Sequence, residues 1–281
     1  MRILGVDVGG TFTDAVLLDE GRVTTAKVPT AVRQEDSVVA AARAAGADGV
    51  DRFTHGTTIA TNALLERKGA RTAFVATKGF EHLLHLRRQA RAHLYRLCDR
   101  HPEPLVPLER CFGVQERMAP EGIVQPLELE SLPSFEAEAV AVCFLHAFMN
   151  PAHEAAAARF LAERLPGRFV TASHEVNPEL GEYERTSTTV MNAMLGPVCA
   201  RYIGALGGRL REAGFRGELM FMQSNGGLAH AELVAARPVL LLESGPAGGV
   251  SAALRLCARD GVGDVILGDM GGTTFDVSRA K

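Results

Sequence analysis

Two short segments of this sequence are built alike, and their residue types suit an anionic ligand with its counter-cation. Asp7-Val8-Gly9-Gly10-Thr11-Phe12-Thr13-Asp14 and Asp269-Met270-Gly271-Gly272-Thr273-Thr274-Phe275-Asp276 agree at five of eight positions, in the pattern D-x-G-G-T-x-x-D. The glycines let the chain reverse and let a ligand approach main-chain N–H groups, and the threonine hydroxyls add donors. Each leading aspartate follows a short apolar run, which puts it at a strand end. A carboxylate there suits a hydrated divalent cation, because Mg²⁺ keeps several waters and takes only one or two carboxylates. Either copy alone reads equally well as a tight β-turn. A mere turn has no reason to recur with the same threonine and second aspartate, so the pair reads as two hairpins clamping a polyphosphate and its metal in a cleft between lobes.

Further polar segments stand at the ends of apolar runs. His55, Gly56, Thr57 and Thr58 fall where a short strand, Arg52 to Thr54, gives way to a helix beginning at Ile59. Amides left free at such a turn favour an anion or a polarised carbonyl, which makes these four candidate substrate contacts; a helix cap by Thr57 or Thr58 is the competing account. Asn225, in Gln223-Ser224-Asn225-Gly226-Gly227, either orients a substrate or closes an Asx turn. Glu243, ahead of a small-residue helix from Pro246 to Ala258, either positions a water or proton or sits as a carboxylate favoured by the helix dipole. Tyr183-Glu184-Arg185-Thr186 reads as an ion-pair site. His82 and His85 have no evident third ligand, so a solvated helix face is preferred to a zinc site.

The elements that must position these residues alternate. Strand-like runs at 3–6, 12–18 and 23–28 form an N-terminal meander, followed by a helix from Asp36 to Ala45 with Asp36 or Ser37 as its N-cap. Arg71 to Ala76 is a strand and Phe80 to Arg91 a helix. Ala139 to Leu145, Pro151 to Arg164 and Phe169 to Ala172 make a strand-helix-strand unit. A long helix runs from about Glu179 to Gly214, kinked or divided at Gly196-Pro197. Leu219 to Met222, Val265 to Gly268 and Thr274 to Ser278 complete the strands. The class is α/β with a mixed sheet flanked by helices.

Composition excludes several functions. The 281 residues are 47% hydrophobic and 22% charged, enough for a sizeable core in two lobes. A net charge of -3, no tryptophan and only three tyrosines argue against nucleic acid. The apolar runs fall short of the roughly 20 residues that cross a bilayer, and the N-terminus has no signal-peptide pattern, so no membrane association and a cytoplasmic location are expected. Cys98, Cys111, Cys143, Cys199 and Cys257 include no C-x-x-C pair and read as reduced thiols. G-x-x-x-x-G-K-[ST], G-x-G-x-x-G and G-x-S-x-G are all absent from the sequence, which removes the P-loop, Rossmann and serine-hydrolase readings.

The paired hairpins resemble the two phosphate loops of the actin-like ATPase superfamily, with its ribonuclease H-like lobes. More specifically, the segments 7–14, His55 to Glu66, Ser173-His174-Glu175-Val176, Tyr183 to Thr189, Met222 to Gly227 and Ser244 to Gly249 resemble the hydantoinase A/oxoprolinase family, in order and across nearly the whole chain. That resemblance implies an ATP-dependent enzyme that transfers the γ-phosphate to a carbonyl or enol oxygen. A cyclic amidase of the hydantoinase or 5-oxoprolinase type is the first expectation; a ketone carboxylase subunit or a nucleotide-gated interaction protein are the alternatives. It also implies a hydantoinase B-type subunit or domain as partner, an oligomeric assembly, and a small cyclic amide or ketone as substrate. By the resemblance, Asp7 and Asp269 organise Mg²⁺ through water and act as catalytic groups; Glu243, on the water-positioning reading above, is the third catalytic candidate. Gly9, Gly10, Thr11, Thr13, Gly271, Gly272, Thr273 and Thr274 hold the phosphates of ATP. The expected domains are 1–180 and 181–281, with the second lobe truncated after its first hairpin, and the chain alone is expected not to turn over ATP.

Overall fold

A computed structural model of the chain describes residues 1–96, 101–270 and 275–280. Gly271, Gly272, Thr273 and Thr274 lie outside the described residues. The chain forms two compact units, one made of Met1–Leu65 with Cys199–Lys281 and the other of Glu66–Val198. The first unit thus draws on both ends of the chain.

The first unit opens with the expected meander: β1 (Arg2–Val8), β2 (Phe12–Asp19) and β3 (Arg22–Pro29) pair antiparallel. Period-2 alternation sets the faces, so that Leu4, Val6, Val8, Ala15 and Leu17 are buried while Val16 and Leu18 remain exposed. Helix α1 (Gln34–Ala44) covers these strands with Val38, Ala41 and Ala42. Its N-cap is Arg33, without a side-chain bond, because the Ser37 hydroxyl instead accepts the Ala31 N–H at 2.6 Å. Strand β4 (Arg52–Thr57) runs parallel to β1, and α2 (Ile59–Leu65) follows it.

In the second unit, β5 (Thr72–Thr77) leads to a helix α3 of only four residues, Leu83–Leu86. The longer helix expected to Arg91 is broken because Arg87 and Gln89 take left-handed φ values of 53° and 57°. A hairpin that the alternation did not reveal follows, β6 (Cys111–Ala119) with β7 (Gly122–Glu128), and its register shifts between Gln115 and Met118. Then come β8 (Ala139–Cys143), α4 (Ala152–Arg164), β9 (Phe169–Ala172) and α5 (Ser173–Val176). The sheet order is β7-β6-β5-β8-β9, parallel except for β7. Strands β5 and β8 are buried along their whole length, as continuous apolar runs covered on both faces should be.

Helix α6 (Glu182–Glu212) runs unbroken through Pro197 for 31 residues. Gly196 is required there by packing: a Cβ on it would lie 2.4 Å from the Phe169 ring. Gly196→Ala is therefore expected to destabilise the protein by about 1–3 kcal/mol through overpacking, read as a lower urea midpoint. A midpoint within error of wild type would show that Phe169 is free to move aside.

The chain re-enters the first unit at Cys199, within α6, and continues with β10 (Glu218–Met222), parallel to β4, and β11 (Leu228–His230), giving a six-stranded sheet ordered β11-β10-β4-β1-β2-β3. Helices α7 (Ala231–Ala236) and α8 (Ser244–Arg259) precede a separate two-stranded ribbon of β12 (Val265–Met270) and β13 (Phe275–Ala280). Among the described residues, no helix is long and apolar enough to cross a membrane. Burial pushes the Cys143 thiol up to about 11 and those of Cys111 and Cys199 up to about 12, so these three are inert core thiols.

Candidate active site

Asp7, the next-to-last residue of β1, is flanked in register by Asp14 on β2 and Gly56 on β4. A Cβ at Gly56 would stand 2.7 Å from Asp7 Oδ1, so the carboxylate occupies space that only a glycine leaves open. Asp7 keeps an exposed edge, yet the surrounding protein crowds out enough water to raise its carboxyl above the usual carboxylate range. The charges of Asp269 and Asp14 push it further up, and the Val8 N–H partly offsets them. The leading aspartates of the two repeats are therefore electrostatically coupled within one unit. Asp14 is already engaged, with Lys27 Nζ 2.8 and 3.0 Å from its two oxygens. Asp269 lies on β12 opposite Asp276, both of them exposed.

The first glycine hairpin is closed by the Gly9 N–H donating to the Phe12 carbonyl at 3.0 Å. Thr30 braces it: its hydroxyl donates to the Gly9 carbonyl at 2.9 Å, and its N–H donates to the Thr11 carbonyl at 2.9 Å. Thr13 Oγ1 lies 3.0 Å from Thr30 Oγ1 and is fully buried, so this hydroxyl holds the hairpin and does not reach a phosphate. Gly10 and Thr11 are exposed at its tip, and Gly9 is half-buried. The bracing threonine gives no signal in the sequence, since it lies 21 residues from Gly9 and outside any motif.

His55, Gly56 and Thr57 belong to β4 itself, so the strand ends three residues later than expected and the turn shrinks to Thr58 ahead of the helix at Ile59. His55 is fully buried, its Nδ1 3.2 Å from the Val6 carbonyl and its Nε2 2.7 Å from the Tyr202 hydroxyl. A carbonyl can only accept, so Nδ1 carries the proton and Nε2 accepts from Tyr202. The ring has no atom left for a substrate, which corrects the expectation for His55. Thr57 is buried too; its Oγ1 accepts the Ile59 N–H at 3.3 Å, the helix-cap geometry. Thr58 is half-buried, with Asn62 Nδ2 donating to its Oγ1 at 3.3 Å.

Burial lowers the His55 pKa to about 4, against an ordinary value near 6.5. The unfolded chain then binds the extra proton first, so this contribution to stability is complete above about pH 6.5 and is lost as pH falls towards 4. The loss expected from this one group is about 3 kcal/mol. Hydrogen bonding to Glu154 raises His174 and so contributes in the opposite direction, present at low pH and lost as pH rises through its folded value. Urea unfolding of wild type and His55→Gln across this window isolates the His55 contribution. An equally steep acid loss in the variant would refute it.

Glu243 caps α8 in a left-handed conformation, φ 54° and ψ 25°, with an exposed side chain. Strain of this kind in a non-glycine residue persists only where contacts impose it. Here the Glu243 N–H donates to Thr61 Oγ1 at 3.1 Å, and the buried Ser244 hydroxyl donates to the Thr57 carbonyl at 3.4 Å. The start of α8 is thereby tied to the segment that follows Gly56. Asn225 Oδ1 accepts the Gly227 N–H at 2.8 Å, an Asx turn, and the side chain is exposed. A Cβ at Gly226 would fall 2.1 Å from Ser251 Oγ, and one at Gly248 would lie 3.3 Å from Met222 Cε, so glycines allow this loop, β10 and α8 to meet.

A family model described as hydantoinase/oxoprolinase N-terminal region matches residues 3–165, and one described as hydantoinase/oxoprolinase matches residues 185–281. Caprolactamase subunit alpha of Pseudomonas jessenii is 34% identical over 99% of this chain and 43% of its own length. The acetophenone carboxylase gamma subunit of Aromatoleum aromaticum is 32% identical over 98% of this chain and 42% of its own. Among solved structures, ATP-dependent caprolactamase from Pseudomonas jessenii matches with a TM-score of 0.84 at 34% identity, covering 99% of this chain and 44% of that one. Nucleotide-free acetone carboxylase matches with a TM-score of 0.85 at 25% identity, covering 100% of this chain and 44% of that one. This chain therefore spans less than half the length of these relatives.

Proposed function

The chain belongs to the hydantoinase/oxoprolinase family, and from that premise we propose that it carries the phosphate-handling part of an ATP-dependent enzyme that activates a substrate carbonyl by phosphoryl transfer. The observation that carries this reading is the repeated D-x-G-G-T-x-x-D segment, whose leading residues Asp7 and Asp269 fall in one compact unit, with Asp269 helping to raise the Asp7 carboxyl. A carboxylate whose ionised form is made costlier by a second carboxylate fits a divalent cation. Among the described residues no cluster of three or more His, Cys, Asp or Glu side chains competes for one, and Mg²⁺ needs only one or two carboxylates with water. When bound, such a cation would neutralise charge on transferring phosphate oxygens. Asp7 and Asp269 would hold it, while Gly9, Gly10 and Thr11, with Gly271, Gly272, Thr273 and Thr274 from the second repeat, would face the phosphates.

Glu243 is proposed to position a water or proton at the substrate, and Thr58 and Asn225 to contact it. The caprolactamase relative favours a cyclic amide; the carboxylase relatives keep a ketone as the second reading. A partner subunit, of hydantoinase B type, would complete hydrolysis or carboxylation, consistent with relatives named as subunits.

The test is ATP hydrolysis by the full-length protein with Mg²⁺ and, in turn, hydantoin, 5-oxoproline, caprolactam and acetone. Stimulation by one cyclic amide supports the leading reading, stimulation by acetone the second, and hydrolysis indifferent to all four, with nucleotide-dependent partner affinity, a switch. In that assay Gly56→Ala is expected to cost on the order of 10²-fold in turnover, since misplacing a cation-holding carboxylate by about 1 Å has that scale of effect. Turnover equal to wild type would show that the Asp7 carboxylate has no required position.

A further inference from the structure

His55 stands in the middle of a buried chain of hydrogen bonds that runs from α6 to the strand end carrying Asp7. Tyr202, on α6, is buried, and its hydroxyl lies 2.7 Å from His55 Nε2, while His55 Nδ1 lies 3.2 Å from the Val6 carbonyl. That carbonyl shares one planar peptide unit with the Asp7 nitrogen, so whatever fixes its direction fixes the plane on which the Asp7 side chain is mounted. Tyr202, His55, Val6 and Asp7 all belong to the first unit.

The chain also has a direction. Burial keeps the ring uncharged near neutral pH, so it carries a single proton. A carbonyl only accepts, so that proton serves the Val6 contact only on Nδ1, and the Tyr202 hydroxyl, by donating to Nε2, holds it there. Without that donor the proton is free to move to Nε2, and the Nδ1 lone pair then faces those of the Val6 carbonyl. Phe221, fully buried, packs edge-on against the His55 ring with centroids 5.5 Å apart. Position matters here because of the register. Val6 lies opposite His55 and Asp7 opposite Gly56, and Asp7 Oδ1 comes 2.7 Å from the point where a Cβ on Gly56 would stand. A carboxylate with so little room tolerates little rotation of its own peptide.

We infer that Tyr202 is a positioning residue for the cation site: through the His55 tautomer it fixes the peptide joining Val6 to Asp7, and with it the Asp7 carboxylate. Outer partners of this kind change metal affinity by roughly 10- to 100-fold when they are removed. The inference rests on the reading of Asp7 as a cation ligand.

The test is titration of the full-length protein with Mn²⁺, an oxygen-preferring stand-in for Mg²⁺, followed by the loss of the free-ion electron paramagnetic resonance signal. Tyr202→Phe, which removes one oxygen and keeps the ring, is expected to weaken Mn²⁺ binding on the order of tenfold. Leu206→Val, at a fully buried site further along α6, should cost stability and leave Mn²⁺ affinity unchanged. In an Asp7→Asn background Tyr202→Phe should add no further loss. Wild-type affinity in Tyr202→Phe, beside a weakened Asp7→Asn, overturns the inference and leaves the Asp7 reading standing. An equal loss in Leu206→Val, or a further loss on top of Asp7→Asn, does the same. Wild-type affinity in Asp7→Asn overturns that reading and this inference together.

Discussion

Asp7→Asn in the full-length protein is expected to lower ATP-dependent turnover by roughly 10²–10³-fold while leaving folding stability unchanged or slightly raised. Both halves follow from one piece of electrostatics. The Asp7 carboxyl is held above its ordinary range by burial and by the charges of Asp269 and Asp14, so the folded state binds its proton more tightly than the unfolded state does. Such a group subtracts stability as pH rises through its folded value, and at neutral pH the ionised carboxylate is a net burden on the fold. Asparagine removes that burden together with the charge that a cation would neutralise. A residue kept at a cost to stability is kept for its chemistry. Asp14→Asn is the control: its partner is Lys27, in a pair with both side chains about half exposed, so its loss should cost turnover far less. By the same argument Mg²⁺ should raise the thermal midpoint of wild type and not that of Asp7→Asn. Unaltered turnover in Asp7→Asn, or a wild-type midpoint indifferent to Mg²⁺, would remove Asp7 from the metal site.

Much of this was legible in the sequence because it was local. The D-x-G-G-T repeat places both aspartates at strand ends, and β1–β3, β8–α4–β9 and α8 follow from period-2 and period-3.6 patterning that packing did not overrule. What failed was non-local. His55 has a motif-like setting, but its role is set by Tyr202, 147 residues away, and by the Val6 carbonyl on the neighbouring strand. Thr13 sits inside a phosphate-loop pattern and is nonetheless claimed by Thr30. Helix α3 ends early because the backbone turns left-handed at Arg87, a residue whose side chain gives no such signal. Even Gly56 owes its necessity to a register, Asp7 opposite Gly56, which spacing alone does not supply.

Arg185→Met is expected to destabilise the protein by about 2–5 kcal/mol, mostly through buried carbonyls left without donors. Arg185, 1% exposed, lies near the start of α6. Its guanidinium donates to the Phe144 carbonyl at 3.0 Å, the Glu179 carbonyl at 3.1 Å, Ser173 Oγ at 3.2 Å and Glu182 at 3.3 Å, and it lies over the Phe148 ring. Buried Glu154 completes the network from the other side, accepting from the Phe144 N–H at 2.7 Å, Ser173 Oγ at 2.8 Å and the His174 N–H at 2.7 Å. Methionine has much the same length as arginine but no donors, so it strands the Phe144 and Glu179 carbonyls and leaves the Ser173 hydroxyl to Glu154 alone. The ion pair is the smaller part of this, because the Glu182 side chain is 26% exposed and water replaces its partner. Glu182→Gln should therefore cost under about 1 kcal/mol. Urea denaturation of the two variants separates the accounts: equal losses would mean that the charge pair, and not the buried carbonyl network, holds α6 to β8 and β9.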